Sequence, residues 1–390
     1  MNQGRTVFAQ LMQLLPRRAW ENAVQRYPGQ RRERELSCMD HLLAMLFAQL
    51  TRRDSLRDLV RSLAALGSRR YHCGFRGVPI ARSTLADANE RRDWRIFQDT
   101  ALALIRQVRG ELPADPDLTQ LQAEIYALDS TTIDLCLKLF PWAQFRRRKA
   151  AVKAHTLLDL KRGIPVFVRV SHGKTHDLDM LDRLQFEPGA CYMMDKAYTD
   201  FARLYRLHCC GGFFVTRLKR NADYRIVAPG PGPCTQGVRS DKLIRLRGPK
   251  SRRLYPERLR KVRYRDPETG KTLTFLTNHL LLDAPTVALL YKKRWKIELL
   301  FKWLKGHLHI QAFYGTSSNA VQIQIWIAVI AYVLILRLKH RYGLQRPAGE
   351  LAQILSITLL EKTPIPLLFS ELFVSPVPNE DANQLLLFDL

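Results

Sequence analysis

Three carboxylates, Asp129, Asp195 and Glu298, stand out in a strongly basic chain. Asp129 closes the apolar run IYALD, just before a Ser-Thr-Thr stretch, and Asp195 closes a second run, ACYMMD. Glu298 lies inside residues 291–305, YKKRWKIELLFKWLK. Acids that converge without a Cys or His cluster select hard, oxygen-seeking cations, Mg²⁺ or Mn²⁺. Two such ions ~3.5–4 Å apart can activate a water or a 3′-hydroxyl and stabilise the leaving oxygen of a phosphodiester. Without a cation the acids would repel one another, which is a reason to expect one. Tyr291, Arg294 and Lys305 accompany Glu298, and at ~100° per residue all four share an arc of about 60° on one helix. Taken alone, the segment reads equally well as a solvated basic helix with a salt-bridged Glu. Asp134, Asp159, Asp177 and Asp179 have structural readings instead. Asp159 precedes a turn, and Asp177 and Asp179 stand where a helix start would use them as caps.

The elements that must position these acids change in type along the chain. Residues 1–120 read as helices. Residues 37–51 are strongly apolar with Ser37 or Asp40 as start, and 55–66 are amphipathic. At 82–89 (RSTLADAN), Ser83 or Thr84 can cap a further helix. Its polar face, with Arg82, Ser83, Thr84 and Asn89, is compatible with a helix-turn-helix reader of DNA, although most such pairs are plain helical hairpins. Residues 111–122 read as a linker. From 124 the order is strand with acid, β-hairpin (151–160 and 164–170), helix at 177–184, strand with acid, helix at 199–209, strand at 212–218. That order predicts a mixed α/β sheet flanked by helices, with chemistry where strands end. Residues 220–280 break into short strands between turns such as PGPGP and DPETG, an antiparallel β insertion. Asp283 then caps the helix carrying Glu298, with Pro285 in its first turn. The expected divisions are 1–120, 121–219, 220–280, 281–345 and 346–390.

Charge indicates the partner. With 62 Lys and Arg against 36 Asp and Glu, the net charge of +26 points to nucleic acid. An anionic membrane surface is the competing idea. The basic residues recur from Arg17 to Lys305, which suits an extended groove better than a disordered arm. Seven cysteines form no CxxC pair, so a disulfide framework and zinc are both unexpected, and a reducing cytoplasm is the expected setting. No apolar leader opens the chain, and the run at 325–336 is too short to span a bilayer, so a buried core helix is expected there.

The spacing Y-(2)-R-(3)-E-(6)-K at Tyr291, Arg294, Glu298 and Lys305, with YALDST and MMDKAYTD upstream, resembles the insertion-sequence-four family of bacterial DDE transposases. The resemblance covers most of the chain. It implies a ribonuclease-H-like core interrupted by a β insertion and preceded by an all-α N-terminal DNA-binding domain. It implies that Asp129, Asp195 and Glu298 hold two Mg²⁺ or Mn²⁺ ions, and that Tyr291, Arg294 and Lys305 grip transposon-end phosphates. The implied reaction is hydrolysis at each end followed by attack of the 3′-hydroxyl on target DNA, by a homodimer on DNA. Some members use a Trp in the β insertion to hold a flipped base. Residues 220–280 contain none, which leaves Tyr255 or Tyr264 as stacking candidates. The alternatives are a Mg²⁺-dependent nuclease or resolvase of the same fold, and a domesticated DNA-binding regulator. The intact acids and phosphate contacts argue against a regulator.

The last residues, NQLLLFDL, resemble the QLxLF peptide by which bacterial proteins bind the replicative sliding clamp. Gln384, Leu385, Leu387 and Phe388 would then lie in an apolar groove. An apolar C-terminus packed on the core is the alternative.

Overall fold

The structure is a computed structural model that describes residues 4–27, 36–76, 79–232, 237–307 and 313–370. The N-terminal third is helical: α1 (Val7–Met12), α2 (Arg17–Arg26), α3 (Cys38–Leu50), α4 (Leu56–Ala65), α5 (Arg82–Arg91) and α6 (Arg95–Glu111). Ser37 and Ser55 cap α3 and α4 as their positions before apolar periodic runs require, each accepting a backbone N–H three residues on. Helix α5 departs from expectation. Its N-cap is Ala81, so Ser83 and Thr84 lie within its first turn. Asn89 is buried, holding His41 Nε2 at 2.8 Å, so it is withdrawn from the exposed polar face that Arg82, Ser83, Asp87, Glu90 and Arg91 keep.

The strands are β1 (Ile125–Leu135), β2 (Gln144–Arg146), β3 (Lys149–Asp159), β4 (Ile164–His172), β5 (Cys191–Met194), β6 (Phe213–Arg217), β7 (Tyr224–Pro229), β8 (Val238–Leu246), β9 (Leu259–Arg265) and β10 (Thr272–Thr277). Helices α7 (Phe201–Cys209) and α8 (Pro249–Leu254) interrupt them, and α9 (Ala284–Lys293), α10 (Trp295–His307), α11 (Ser318–Arg341), α12 (Ala348–Thr358) and α13 (Ile365–Ser370) follow. All ten strands form one sheet in the order β2-β3-β1-β5-β6-β10-β9-β8-β7, with β4 also on β3. β1 pairs antiparallel with β3 and parallel with β5, and β5 is parallel to β6. β10 bonds both β6 and β9, so residues 220–280 extend the central sheet.

Alternation along β1 sorts its side chains. Ile125, Ala127 and Ile133 join a large apolar core that also takes in α3, α6, α10 and α11. Tyr126 and Leu128 join a second core with Met194, Tyr198 and α7. Helix α11 is 24 residues long, longer than its apolar run, and long and apolar enough to cross a bilayer. It is nonetheless buried along nearly its whole length, between the N-terminal helices and the sheet, as a core helix should be.

Two further expectations change. Residues 177–184 form only a 3-10 turn at Asp177–Met180, preceded by His176 with no side-chain cap, so neither Asp177 nor Asp179 caps a helix. The proposed linker at 111–122 is anchored. Asp115 receives Lys293 Nζ at 2.9 Å and also pairs with Lys296, and its N–H donates to the Lys161 carbonyl. Asp159 is structural as expected, fully buried against Arg109 at 2.8 Å and Arg162 at 3.1 Å.

Two buried imidazoles give the fold a pH dependence. Burial holds His41 down to about 4, against the opposing bond from Asn89. Burial likewise holds His155 down to about 4, against the nearby Asp177 charge. Their unfolded value is 6.5, so the unfolded chain takes up protons first as pH falls. Stability is therefore full above about pH 6.5 and lost toward pH 4, by up to about 3 kcal/mol per imidazole. Thermal melts should show this fall, and His41→Gln should flatten it while lowering stability at pH 7.5.

Candidate active site

Pairing of β1 with β5 ends at Leu128↔Met194. The next residue on each strand is an acid, Asp129 and Asp195. They follow neighbouring parallel strands in register, where backbones lie about 4.8 Å apart. β1 does not stop there. It continues to Leu135 along β3, so Asp129 marks the point where β1 loses its β5 neighbour. By alternation Asp129 faces the side of the sheet covered by α9 and α10.

Glu298 comes from that side. Residues 291–305 are not one unbroken helix: α9 ends at Lys293, Arg294 is a turn residue, and α10 begins at Trp295. The Arg294 N–H is shared between the carbonyls of Leu290 and Tyr291. Its guanidinium joins two of the acids, with Nη1 donating to Asp129 Oδ2 at 2.9 Å and Nη2 to Glu298 Oε1 at 2.6 Å. The Tyr291 hydroxyl is directed to Asp195 Oδ1 at 3.4 Å, while its ring is buried against Phe275. Lys305 Nζ donates to the Thr132 carbonyl at 2.8 Å. Asp129, Glu298, Lys302 and Lys305 line an open cleft of about 760 Å³.

Electrostatics tie the three acids together. Burial raises the Asp129 carboxyl, and the charges of Glu298 and Asp195 add to that, while the Ser130 N–H and Arg294 oppose it. Burial lowers the Arg294 guanidinium, but Tyr291, Asp129 and Glu298 outweigh it and leave Arg294 raised. Tyr198, behind the strand, is pushed up by its own burial and then by the charges of Asp129, Asp177 and Asp195. Burial lowers Lys305, against the opposing charge of Asp134.

These residues fit a hard cation. The donors are carboxylate oxygens, they repel one another, and a guanidinium stands between two of them. Among the described residues no three metal-binding side chains yet converge on one point. Asp129 and Glu298 turn to Arg294, whose Nε is buried without a hydrogen-bond partner among the described residues.

Residues 120–334 match the family described as the transposase DDE domain. The chain belongs to that family. It is accordingly a DNA transposase, an enzyme that cleaves DNA and transfers strands, and its family depends in general on divalent metal. Residues 3–76 match a domain of unknown function. A putative transposase of Sinorhizobium fredii is 34% identical over 259 residues, 64% of this chain and 69% of that one. A probable transposase for insertion sequence element IS5377 of Geobacillus stearothermophilus is 31% identical, over 53% of this chain and 55% of that one. A putative transposase for insertion sequence element IS4SA of Synechocystis is 28% identical, over 71% of this chain and 77% of that one.

Other residues of the transposase stand apart from this cleft. Arg82 and Ser83 are exposed at the start of α5, with Thr84 half-buried. Tyr255 is 1% exposed and bonded to His208 Nδ1, so it cannot stack on a base. Trp295, which the signature spacing does not include, is 57% exposed beside Arg294 and offers the stacking face that Tyr255 does not. Asp177, expected as a helix cap, instead gathers behind Ser130 with Lys153 and His155, which carried no expectation. Their signal was the alternation of β1 and β3, legible only once the register was known. Gln384, Leu385, Leu387 and Phe388 lie outside the described residues.

Proposed function

We propose that this transposase excises an insertion sequence and joins its freed 3′-hydroxyl ends to target DNA, as a member of the insertion-sequence-four group. The observation that carries the site assignment is the Leu128↔Met194 register, with Asp129 and Asp195 as successive residues and Glu298 facing them across Arg294. Asp129, Asp195 and Glu298 would hold two Mg²⁺ or Mn²⁺ ions. When bound, such ions supply an activated oxygen nucleophile and charge for the leaving oxygen. The strand order β4-β3-β1-β5-β6 supports a ribonuclease-H-like reading of the core.

The chain's own residues do the holding. Arg294 suits a forked phosphate contact once its carboxylates turn to a metal, and Lys305 suits a point contact. The Tyr291 hydroxyl stands beside the Asp195 carboxylate, 3.4 Å from its Oδ1, and would share with it the wall that meets the end phosphates. Arg82, Ser83 and Thr84 would meet end DNA from the N-terminal helices, in a homodimer in which each site acts on one end. Lys305→Ala should weaken end binding and reduce the slope of log affinity against log salt by about 0.9. Binding titrations at several salt concentrations measure this, and an unchanged slope would remove Lys305 from the interface.

Residues 384–388 would bind the replicative sliding clamp. Deleting 383–390 should abolish clamp binding in a pull-down with purified clamp and leave end cleavage intact. Unchanged clamp affinity would end that assignment.

A further inference from the structure

Beyond Leu128, β1 has no β5 neighbour, yet this is where Asp129 must be held. Two contacts replace the lost pairing. The Ser130 N–H donates to Asp129 Oδ1 at 2.8 Å, and the Ser130 hydroxyl donates to Asp177 Oδ1 at 2.7 Å. Ser130 points to the opposite face of the sheet from Asp129, so one residue links the cleft to the polar group behind it. Asp177 is fixed in turn. Lys153 Nζ donates to Asp177 Oδ1 at 3.1 Å and to the Thr175 carbonyl at 3.0 Å. His155, paired across the strands with Ser130, sets Nδ1 3.7 Å from the same carboxylate and Nε2 2.8 Å from Ser171 Oγ. Ser130 lines the cleft, whereas Asp177, Lys153 and His155 are not among its lining residues. A carboxylate, a lysine and a histidine are gathered on the back of one serine, directly behind Asp129.

We propose that Asp177 is a positioning residue for the reaction: by accepting the Ser130 hydroxyl it fixes the Ser130 N–H, and that N–H presets the Asp129 carboxylate for its cation. The proposal rests on the assignment of Asp129 to the metal site. Groups that orient a metal-binding side chain from behind contribute about 10–100-fold in metal affinity or activity. Orientation requires an acceptor at position 177 and not its charge, because the contact that matters is the hydroxyl of Ser130. The lysine pair serves to hold the acceptor in place.

The test uses the full chain with Asp177→Ala, Asp177→Asn, Ser130→Ala and the double variant Ser130→Ala/Asp177→Ala. Mn²⁺ binding without DNA is followed by electron paramagnetic resonance, and end cleavage is followed against Mg²⁺ concentration. Asp177→Ala and Ser130→Ala should each weaken Mn²⁺ binding and shift the Mg²⁺ requirement upward by about 10–100-fold, with affinity for end DNA unchanged. The double variant should be no worse than either single one, because both remove the same link. Asp177→Asn keeps an oxygen acceptor and should recover to within a few-fold of the parent. Wild-type Mn²⁺ binding in Ser130→Ala, multiplying effects in the double variant, or an Asn variant as impaired as the Ala one would each overturn the proposal. If Asp177→Ala does not fold, Ser130→Ala, a small change on a paired strand, decides alone. Asp129→Ala run in parallel separates the two claims. If it cleaves and binds Mn²⁺ normally, the metal assignment itself fails. If it is inactive while Ser130→Ala behaves as wild type, only the positioning role fails.

Discussion

Asp129→Ala, Asp195→Ala and Glu298→Ala should each reduce Mg²⁺-dependent cleavage of end DNA by on the order of 10³-fold or more, with end binding retained within a few-fold. The reason is division of labour across the cleft. On the proposed assignment the acids would hold cations against the reacting phosphate, whereas affinity for DNA would come from the many basic residues of a chain of net charge +26. Removing one acid would then delete a cation-holding group and no phosphate contact. Glu298→Ala and Asp129→Ala also free Arg294 from one partner. End binding in these two should tighten slightly where Asp195→Ala leaves it unchanged. Gel-shift and single-turnover cleavage assays on the same preparations separate the two quantities. Cleavage at the wild-type rate in any of the three would remove that residue from the site.

The second large effect concerns stability. Arg260 and Asp241 form a bidentate pair, Nε to Oδ1 at 2.9 Å and Nη2 to Oδ2 at 2.6 Å, with side chains 0% and 2% exposed. Arg260 also donates to the Leu282 carbonyl, next to the Asp283 cap of α9. The pair thus joins β8 and β9 to the start of the helix that leads to the active site. Asp241→Ala strands a buried guanidinium and should cost about 3–5 kcal/mol. Replacing both partners with apolar residues of similar size should recover most of that loss, because what costs is the unpaired charge. Denaturant melts of the single and double variants measure it. Limited proteolysis should cut residues 220–280 first in Asp241→Ala.

Much of this was legible in the sequence because local chemistry agreed with the fold. Ser37 and Asp283 cap the helices that their positions before apolar runs required. The hairpin, the acid-bearing strands and the short strands of 220–280 were read from period and turn residues. Long-range pairing was not legible. Nothing local reveals that β10 bonds β6, that Asp241 waits for Arg260, or that Asp115 anchors to Lys293 and Lys296. The family resemblance implies a phosphate contact for Arg294. Only the packed structure shows it joining Asp129 to Glu298 and marking a break between two helices. Asp177 was assigned to a cap by proximity to a helix start, but its partners come from two strands that spacing alone could not bring beside it.

The most direct measurement incubates the purified transposase with DNA carrying its own element's ends and an unrelated target duplex, with and without Mg²⁺, and resolves the products on denaturing gels. No cutting is expected without the metal. With Mg²⁺, nicks bearing free 3′-hydroxyls are expected at the element ends, then joining of those hydroxyls to target strands, with no protein left attached to DNA. Cutting in the presence of a chelator, or a covalent protein–DNA product, would contradict the assignment of Asp129, Asp195 and Glu298 to a metal-dependent site.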